Sequence, residues 1–151
     1  MAKALLVIDV QSKYMDKYGL SLIDRINERI GKSSDDGSIV AYVKNIGRAE
    51  NAGDYLLDER LNVVSDYIFE KSFPSAFSSE KFCVFLKDNG ITDLELIGVD
   101  GSSCVAKTAF DAVLNGYGTY VNLSCVSSIN DKIFDKTIEK MENSGIRMIR
   151  E

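Results

Sequence analysis

Residues 94–114 read Leu-Glu-Leu-Ile-Gly-Val-Asp-Gly-Ser-Ser-Cys-Val-Ala-Lys-Thr-Ala-Phe-Asp-Ala-Val-Leu, and this stretch decides the fold. Leu94–Val99 has the length and apolar character of a buried strand, and a Gly/Ser turn follows it. After the turn we predict a helix from Cys104 to Leu114, ended by Asn115-Gly116. A strand, a tight turn and a helix in this order are typical of a βα unit in a parallel sheet.

The same alternation of strand and helix runs along the whole chain. It predicts an α/β fold with a mainly parallel sheet, helices on both faces and one domain over residues 1–151. Between residues 44 and 66 the pattern is irregular, and we expect loops and short elements there. The predicted strands are Ala4–Ile8, Ser38–Val43, Tyr67–Phe69, Leu94–Val99, Thr119–Leu123 and Ile146–Ile149. The predicted helices are Leu20–Ile30, Ser79–Asn89 (with Ser78 or Ser79 as cap), Cys104–Leu114 and Ile129–Asn143.

Composition limits the classes of partner and compartment. The net charge of −5 and the lack of a basic stretch argue against nucleic acid. No apolar run approaches the ~20 residues of a membrane span, and Ala4–Val10 is too short for a signal peptide. Cys83, Cys104 and Cys125 cannot all pair within one chain, so reduced thiols in the cytoplasm are the simplest expectation.

The sequence contains no histidine. Ser-His-Asp and Cys-His catalysis, the usual zinc sites and histidine proton shuttles are therefore excluded. If the chain is a hydrolase, a carboxylate or a lysine has to activate its nucleophile.

Cys104 is a candidate nucleophile because it begins a predicted helix. Unpaired N–H groups and the helix dipole at that position stabilise a thiolate and lower the pKa of the thiol. The alternative is a buried cysteine that packs as a small hydrophobic residue. The segment alone does not decide between the two.

Two further polar residues follow predicted strands. Asp9 ends the apolar run Ala4–Ile8, and Lys71 follows Tyr67–Phe69. Taken singly, Asp9 reads as a cap or loop residue and Lys71 as a solvated cation. Sites in parallel α/β folds lie at the carboxyl ends of the strands, where these two residues and the turn bearing Cys104 can converge.

Three blocks of sequence resemble the isochorismatase-like cysteine hydrolases, a superfamily that includes nicotinamidases, N-carbamoyl amidohydrolases and isochorismatases. Residues 4–11 are similar to its first strand with the catalytic aspartate. Residues 69–77 are similar to the segment with the catalytic lysine, and residues 98–117 to the nucleophile block. The order and separation of the blocks fit along most of the chain.

The resemblance implies a three-layer α/β/α Rossmann-like fold with Asp9, Lys71 and Cys104 as a catalytic triad. Asp9 would be the general base, Lys71 the electrostatic partner and Cys104 the nucleophile that forms a thioester. It also implies a cis peptide bond at Val99–Asp100. We expect the oxyanion hole in the backbone N–H groups of Asp100 and Cys104, and a substrate pocket that includes Gln11, Tyr14 and Ser103.

Several departures from the superfamily narrow the function. Metal-dependent members bind their metal with an aspartate and two histidines, so we expect neither a metal nor another cofactor here. Cys104 argues against the vinyl-ether-cleaving isochorismatases that lack this thiol. The Lys44–Asp66 region is short, which predicts a smaller or more open pocket, or one completed by a neighbouring subunit.

These observations predict a cysteine hydrolase that cleaves a C–N bond of a small amide-type substrate. A catalytically idle domain that serves binding or assembly is one alternative, and a metal-free vinyl-ether hydrolase is another. The expected partners are a small-molecule substrate and further copies of the chain in a homo-oligomer, with no nucleic acid and no membrane.

Overall fold

The computed structural model describes residues 2–47 and 55–150, which contain six strands in one parallel sheet. The strands lie in the order β3-β2-β1-β4-β5-β6. Their bounds are β1 Ala2–Ile8, β2 Ile39–Asn45, β3 Ile68–Lys71, β4 Ile91–Gly98, β5 Gly118–Val126 and β6 Arg147–Ile149. The helices are α1 Ser12–Met15, α2 Leu20–Asp35, α3 Glu80–Asp88, α4 Cys104–Leu114 and α5 Asp131–Asn143, with a 3-10 turn at Ala76–Ser78.

Strand β1 lies at the centre of the sheet, and its pairing places the carboxyl ends of three strands together. Its side chains from Ala4 to Ile8 are buried, as expected for an apolar strand covered on both faces. Ile8 pairs with Val43 of β2 and with Gly98 of β4. The residues that follow Ile8 and Gly98 in the chain therefore emerge at one edge of the sheet.

Helices cover both faces of the sheet and form two separate apolar cores. Alternate β1 residues such as Leu6 pack with α3, α4 and α5 on one face. Residues such as Leu5 pack with α2 on the other face. The alternating pattern predicted this parallel sheet with helices on both faces, and the resemblance implied the same three-layer α/β/α fold.

The boundaries differ from the predictions where long-range packing competes with local signals. Helix α2 continues through Gly31 to Asp35, because Ser33 is buried against the protein rather than released into a loop. Strand β3 includes Lys71 as its last residue, instead of ending before it. Helix α4 has its predicted bounds, and Ser79 caps α3 by accepting a hydrogen bond from the Phe82 N–H at 3.2 Å.

Two further observations complete the fold. Leu57, in the irregular region between residues 44 and 66, forms an isolated antiparallel bridge with Gln11. Residues 48–54 of that region lie outside the described residues. None of the described helices is long and apolar enough to cross a bilayer.

Candidate active site

A buried ion pair between Asp9 and Lys71 forms the base of the site. The Lys71 ammonium donates to Asp9 Oδ2 at 3.1 Å, and both side chains are almost fully buried. Asp9 leaves β1 with a φ of 53°, a left-handed conformation that aspartate tolerates better than most residues. Lys71 reaches it from the end of β3, because β2 between them is in register with both strands.

Asp9 has one oxygen without a partner. Within the described residues, its Oδ1 atom is buried and receives no hydrogen bond. Burial raises the pKa of Asp9, while the charge of Lys71 and the Cys104 thiol act in the opposite direction. A buried acceptor that lacks a donor is costly, so Oδ1 is suited to take up a proton.

Cys104 is the first residue of α4 and is partly buried beside this pair. Burial and then the Asp9 carboxylate raise the pKa of the Cys104 thiol to about 11, against the lowering effect of Lys71. The expectation of a lowered thiol pKa from the helix N-terminus is therefore wrong. The resting state is a neutral thiol next to a carboxylate, so a base has to remove its proton during reaction.

The turn between β4 and α4 is built for close approach to β1. Gly98 has a φ of 119°, and a Cβ at that position would overlap the carbonyl oxygen of Ile8. The Val99–Asp100 peptide bond is cis, as the resemblance implied. In the described part of the chain, the backbone N–H groups of Asp100 and Cys104 meet no acceptor, whereas the N–H groups of Ser103 and Val105 both donate to the Asp100 carbonyl.

A pocket of about 330 Å³ opens above these groups. Tyr14 and Ser103, both predicted for the substrate pocket, lie in its wall. Its lining also contains residues that were not predicted for the pocket: Lys17, Tyr18, Asn45, Val99 and Ile129. Asp9, Asp100 and Cys104 line the same space, so the carboxylate and thiol of the predicted triad face one cavity.

Gln11 does not line this pocket and is fully buried. Its amide nitrogen donates to the carbonyl oxygens of Asn45 and Tyr55, both at 3.1 Å. Its amide oxygen accepts from the Asn45 N–H at 2.8 Å. Gln11 therefore ties the end of β2 to Tyr55, and it lies outside the described lining of the pocket.

The side chain of Asp100 is the main feature that sequence reasoning missed. It accepts hydrogen bonds from the Tyr18 hydroxyl at 2.9 Å and from the Ser128 hydroxyl at 2.9 Å. It also accepts from the backbone N–H groups of Ser102 at 2.8 Å and Ile129 at 3.1 Å. An aspartate in a Gly/Ser turn is a visible signal, but its partners lie on distant segments.

Residues 3–150 match the isochorismatase domain family. The chain belongs to this family. The isochorismatase domain thus covers the described structure almost from end to end. It contains all three residues of the predicted triad.

Several known proteins are similar to this chain in sequence or in fold. An Arabidopsis thaliana protein named "Probable inactive nicotinamidase" is 32% identical over 88 residues, which are 58% of this chain and 45% of the relative. The matched segment thus spans less than half of that relative. The pyrazinamidase of Pyrococcus horikoshii in complex with zinc superimposes with a TM-score of 0.83 at 22% identity, covering 100% of both chains. The N-carbamoylsarcosine amidase of Thermoplasma acidophilum gives a TM-score of 0.82 at 24% identity, covering 99% of this chain and 96% of that one.

The Pyrococcus structure is a complex with zinc, whereas the described residues of this chain form no such metal site. The sequence has no histidine, and the described residues contain no group of three acidic or thiol side chains able to hold a metal. At the end of β2, the Asn45 side-chain oxygen accepts from the Gly47 N–H at 2.8 Å. The donor set does not fit zinc.

Proposed function

We propose that this isochorismatase domain is a cysteine hydrolase that cleaves a C–N bond of a small amide-type substrate. The observation that carries the proposal is the unpartnered Oδ1 atom of Asp9, buried beside the Lys71 ammonium and sharing a pocket with the Cys104 thiol. A base of this kind is required because the thiol is neutral at rest.

In the first half of the reaction, the Cys104 sulfur attacks the amide carbon while its proton passes to Asp9. The tetrahedral intermediate then collapses: the C–N bond breaks, and the nitrogen leaves with the proton held by Asp9. The product of this half is a thioester on Cys104 and a free amine or ammonia.

In the second half, water attacks the thioester and gives a proton to Asp9. The C–S bond breaks, the carboxylic acid leaves, and the proton returns to the Cys104 sulfur. The charge of Lys71 favours the ionised form of Asp9 before each transfer. The net reaction consumes one water, and every group of the enzyme returns to its starting state.

The developing oxyanion needs donors that are already in place. The free backbone N–H groups of Asp100 and Cys104 support this role, because both lie in the turn that carries the nucleophile. The bonds from Ser103 and Val105 to the Asp100 carbonyl hold that turn in shape.

The proposal is tested with a panel of benzamide, N-carbamoylglycine and other carbamoyl compounds. We expect hydrolysis of at least one compound, and an acyl adduct on Cys104 in the intact-protein mass spectrum after an acid quench. Cys104→Ala is expected to lose both, and Cys83→Ala, which changes a thiol outside the pocket, is expected to keep both.

Each opposing result identifies one of the alternatives. Turnover that survives in Cys104→Ala would favour vinyl-ether chemistry or another route without the thiol. An enzyme without turnover or adduct on the whole panel would be a catalytically idle domain, the role that the name of the Arabidopsis relative assigns to that protein.

We further propose that the working form is a homo-oligomer. The pocket is open to solvent beside exposed Ile129, a position where a neighbouring subunit would shield the reaction from water. Light scattering after size-exclusion chromatography would give the mass in solution, and a monomer at micromolar concentration would contradict this proposal.

A further inference from the structure

The Asp100 carboxylate accepts four hydrogen bonds, which occupy all of its acceptor positions. Oδ1 accepts from the Ser102 N–H and the Ser128 hydroxyl, and Oδ2 accepts from Tyr18 and the Ile129 N–H. A carboxylate offers about four lone-pair positions in total. Asp100 therefore lines the pocket without capacity to accept a further hydrogen bond from a ligand.

The hydrogen bond to Asp100 also determines whether the Tyr18 hydroxyl can donate a hydrogen bond to a ligand or accept one from it. Its single hydroxyl proton points to Asp100 Oδ2 at 2.9 Å, because an ionised carboxylate can only accept. Burial and this hydrogen bond raise the pKa of Tyr18, so the phenol keeps its proton at all ordinary pH values. The remaining lone pairs on the Tyr18 oxygen can accept a hydrogen bond but cannot donate one.

Tyr18 shares its pocket with the reacting groups. It is half-buried and lines the same pocket as Asp9 and Cys104. The other hydroxyl-bearing aromatic residue in the wall, Tyr14, has no hydrogen bond to a carboxylate among the described residues, so its hydroxyl can turn either way.

We propose that Tyr18, locked by Asp100 as a hydrogen-bond acceptor, is a specificity residue that receives an N–H group of the substrate. The pocket then favours amides and ureido compounds over esters of the same acyl group, which have no N–H to offer. The inference rests on the proposed amide hydrolysis and adds which atom of the enzyme recognises the scissile nitrogen.

The first test compares benzamide with methyl benzoate as substrates. Tyr18→Phe is expected to lower kcat/KM for the amide about tenfold and to leave the ester within about twofold, because one hydrogen bond is lost only with the amide. Tyr117→Phe, outside the pocket, is the matched control and is expected to leave the amide-to-ester ratio unchanged. An equal loss for both substrates in Tyr18→Phe would overturn the inference.

A second test does not depend on turnover and separates failure of the inference from failure of the proposed function. In the Cys104→Ala background, the Kd values of benzamide and methyl benzoate are measured by ligand-observed NMR with Tyr18 and with Tyr18→Phe. We expect weaker binding of the amide alone. If the wild type hydrolyses nothing but this selective loss is seen, the proposed function fails and the inferred recognition stands; equal changes for both ligands overturn the inference.

Asp100→Asn provides an independent variant. The amide nitrogen of the new side chain donates, so a Tyr18 hydroxyl that meets it becomes an acceptor there and can turn its own proton toward the pocket. The preference for benzamide over methyl benzoate is expected to fall, with a larger effect on the amide KM than on the ester KM. An unchanged ratio in a folded Asp100→Asn protein would contradict the role assigned to Asp100, and circular dichroism establishes that the variant is folded.

Discussion

Asp9 and Glu95 are buried carboxylates on neighbouring strands, and their surroundings are opposite. Glu95, in β4, receives two hydrogen bonds of 2.7 Å from the Arg29 guanidinium and one of 3.1 Å from Asn122. The Lys3 ammonium lies 3.3 Å from it. Asp9, at the end of β1, has one bond from Lys71 and one oxygen without any partner in the described structure.

This difference in donors reverses the direction of the pKa shift. Burial raises the pKa of both acids, but the bonds from Arg29 and Asn122 outweigh it at Glu95, whose pKa is lowered. At Asp9, Lys71 and the Cys104 thiol together do not outweigh burial, and the pKa is raised. A saturated carboxylate, in which every oxygen receives hydrogen bonds, thus stays ionised and stabilises the contact between structural elements. An unsaturated one, which has an oxygen without a donor, can accept a proton.

The largest expected effect comes from Asp9→Asn, which keeps the shape of the side chain and removes the base. Turnover of the best amide is expected to fall by roughly 10²–10⁴-fold, the usual contribution of a general base. The measurement is kcat on protein shown to be folded by circular dichroism. A loss of less than tenfold would mean that another group takes the thiol proton.

The second prediction concerns Glu95→Gln, which disrupts the saturated site. The free energy of unfolding is expected to fall by about 2–3 kcal/mol, because Arg29 loses its charged partner while staying partly exposed. Activity per folded molecule is expected to remain, since Glu95 is absent from the pocket lining. Urea denaturation at pH 7 measures the loss.

The stability difference between wild type and Glu95→Gln is also expected to change with pH in one direction. Glu95 has a lowered pKa in the folded state, so its stabilising contribution is present above its ordinary value of 4.5 and disappears as the pH falls through the lower folded value. The difference between wild type and Glu95→Gln should therefore shrink below about pH 4.5. A difference that stays constant down to pH 3 would contradict an ionised Glu95 as its source.

The contrast between the two carboxylates also marks what the sequence could predict. The end of an apolar strand is a local signal that marks the position of Asp9, but only the family resemblance implies its catalytic role. The local pattern also predicts α4 from Cys104 to Leu114. Glu95 was overlooked within a strand that otherwise reads as apolar. A charged residue at such a position is a signal in itself, but its partner Arg29 lies 66 residues away.

Two further differences have the same physical origin. The helix N-terminus at Cys104 is local and predicted a lowered thiol pKa, whereas burial and the Asp9 charge depend on the assembled fold and raise it. Gln11 was expected to contact substrate, but the backbone groups that hold it belong to Asn45 and Tyr55. No local pattern around Gln11 indicates those contacts.

The third prediction uses Cys104 as a reporter of the charge on Asp9. In the wild type, alkylation of Cys104 by iodoacetamide should accelerate with pH up to a pKa of about 11. Asp9→Asn removes a charge that raises this pKa and keeps Lys71, which lowers it, so the rise should move to lower pH. Alkylation at pH 8 is then expected to be about tenfold faster, whereas turnover is lost.

Asp9→Asn is thus expected to change two rates in opposite directions: alkylation of Cys104 becomes faster and turnover is lost. Misfolding of Asp9→Asn would expose all three thiols, so peptide mapping is used to compare Cys104 with Cys83 and Cys125. Slower alkylation of Cys104 in a folded variant would show that Asp9 assists thiolate formation more than its charge opposes it.

The smallest expected effect distinguishes geometry from charge at Glu95. Arg29→Lys keeps the positive charge but replaces the two parallel hydrogen bonds of the guanidinium with at most one from a flexible ammonium. The expected loss is about 1 kcal/mol in the free energy of unfolding. On the same helix, Glu28→Gln breaks the exposed pair with Lys32 and is expected to cost less than about 0.5 kcal/mol. If the two variants lose the same free energy of unfolding, the two parallel hydrogen bonds from Arg29 add nothing beyond an exposed ion pair. The number of donors at Glu95 then cannot explain why its pKa shift is opposite to that of Asp9.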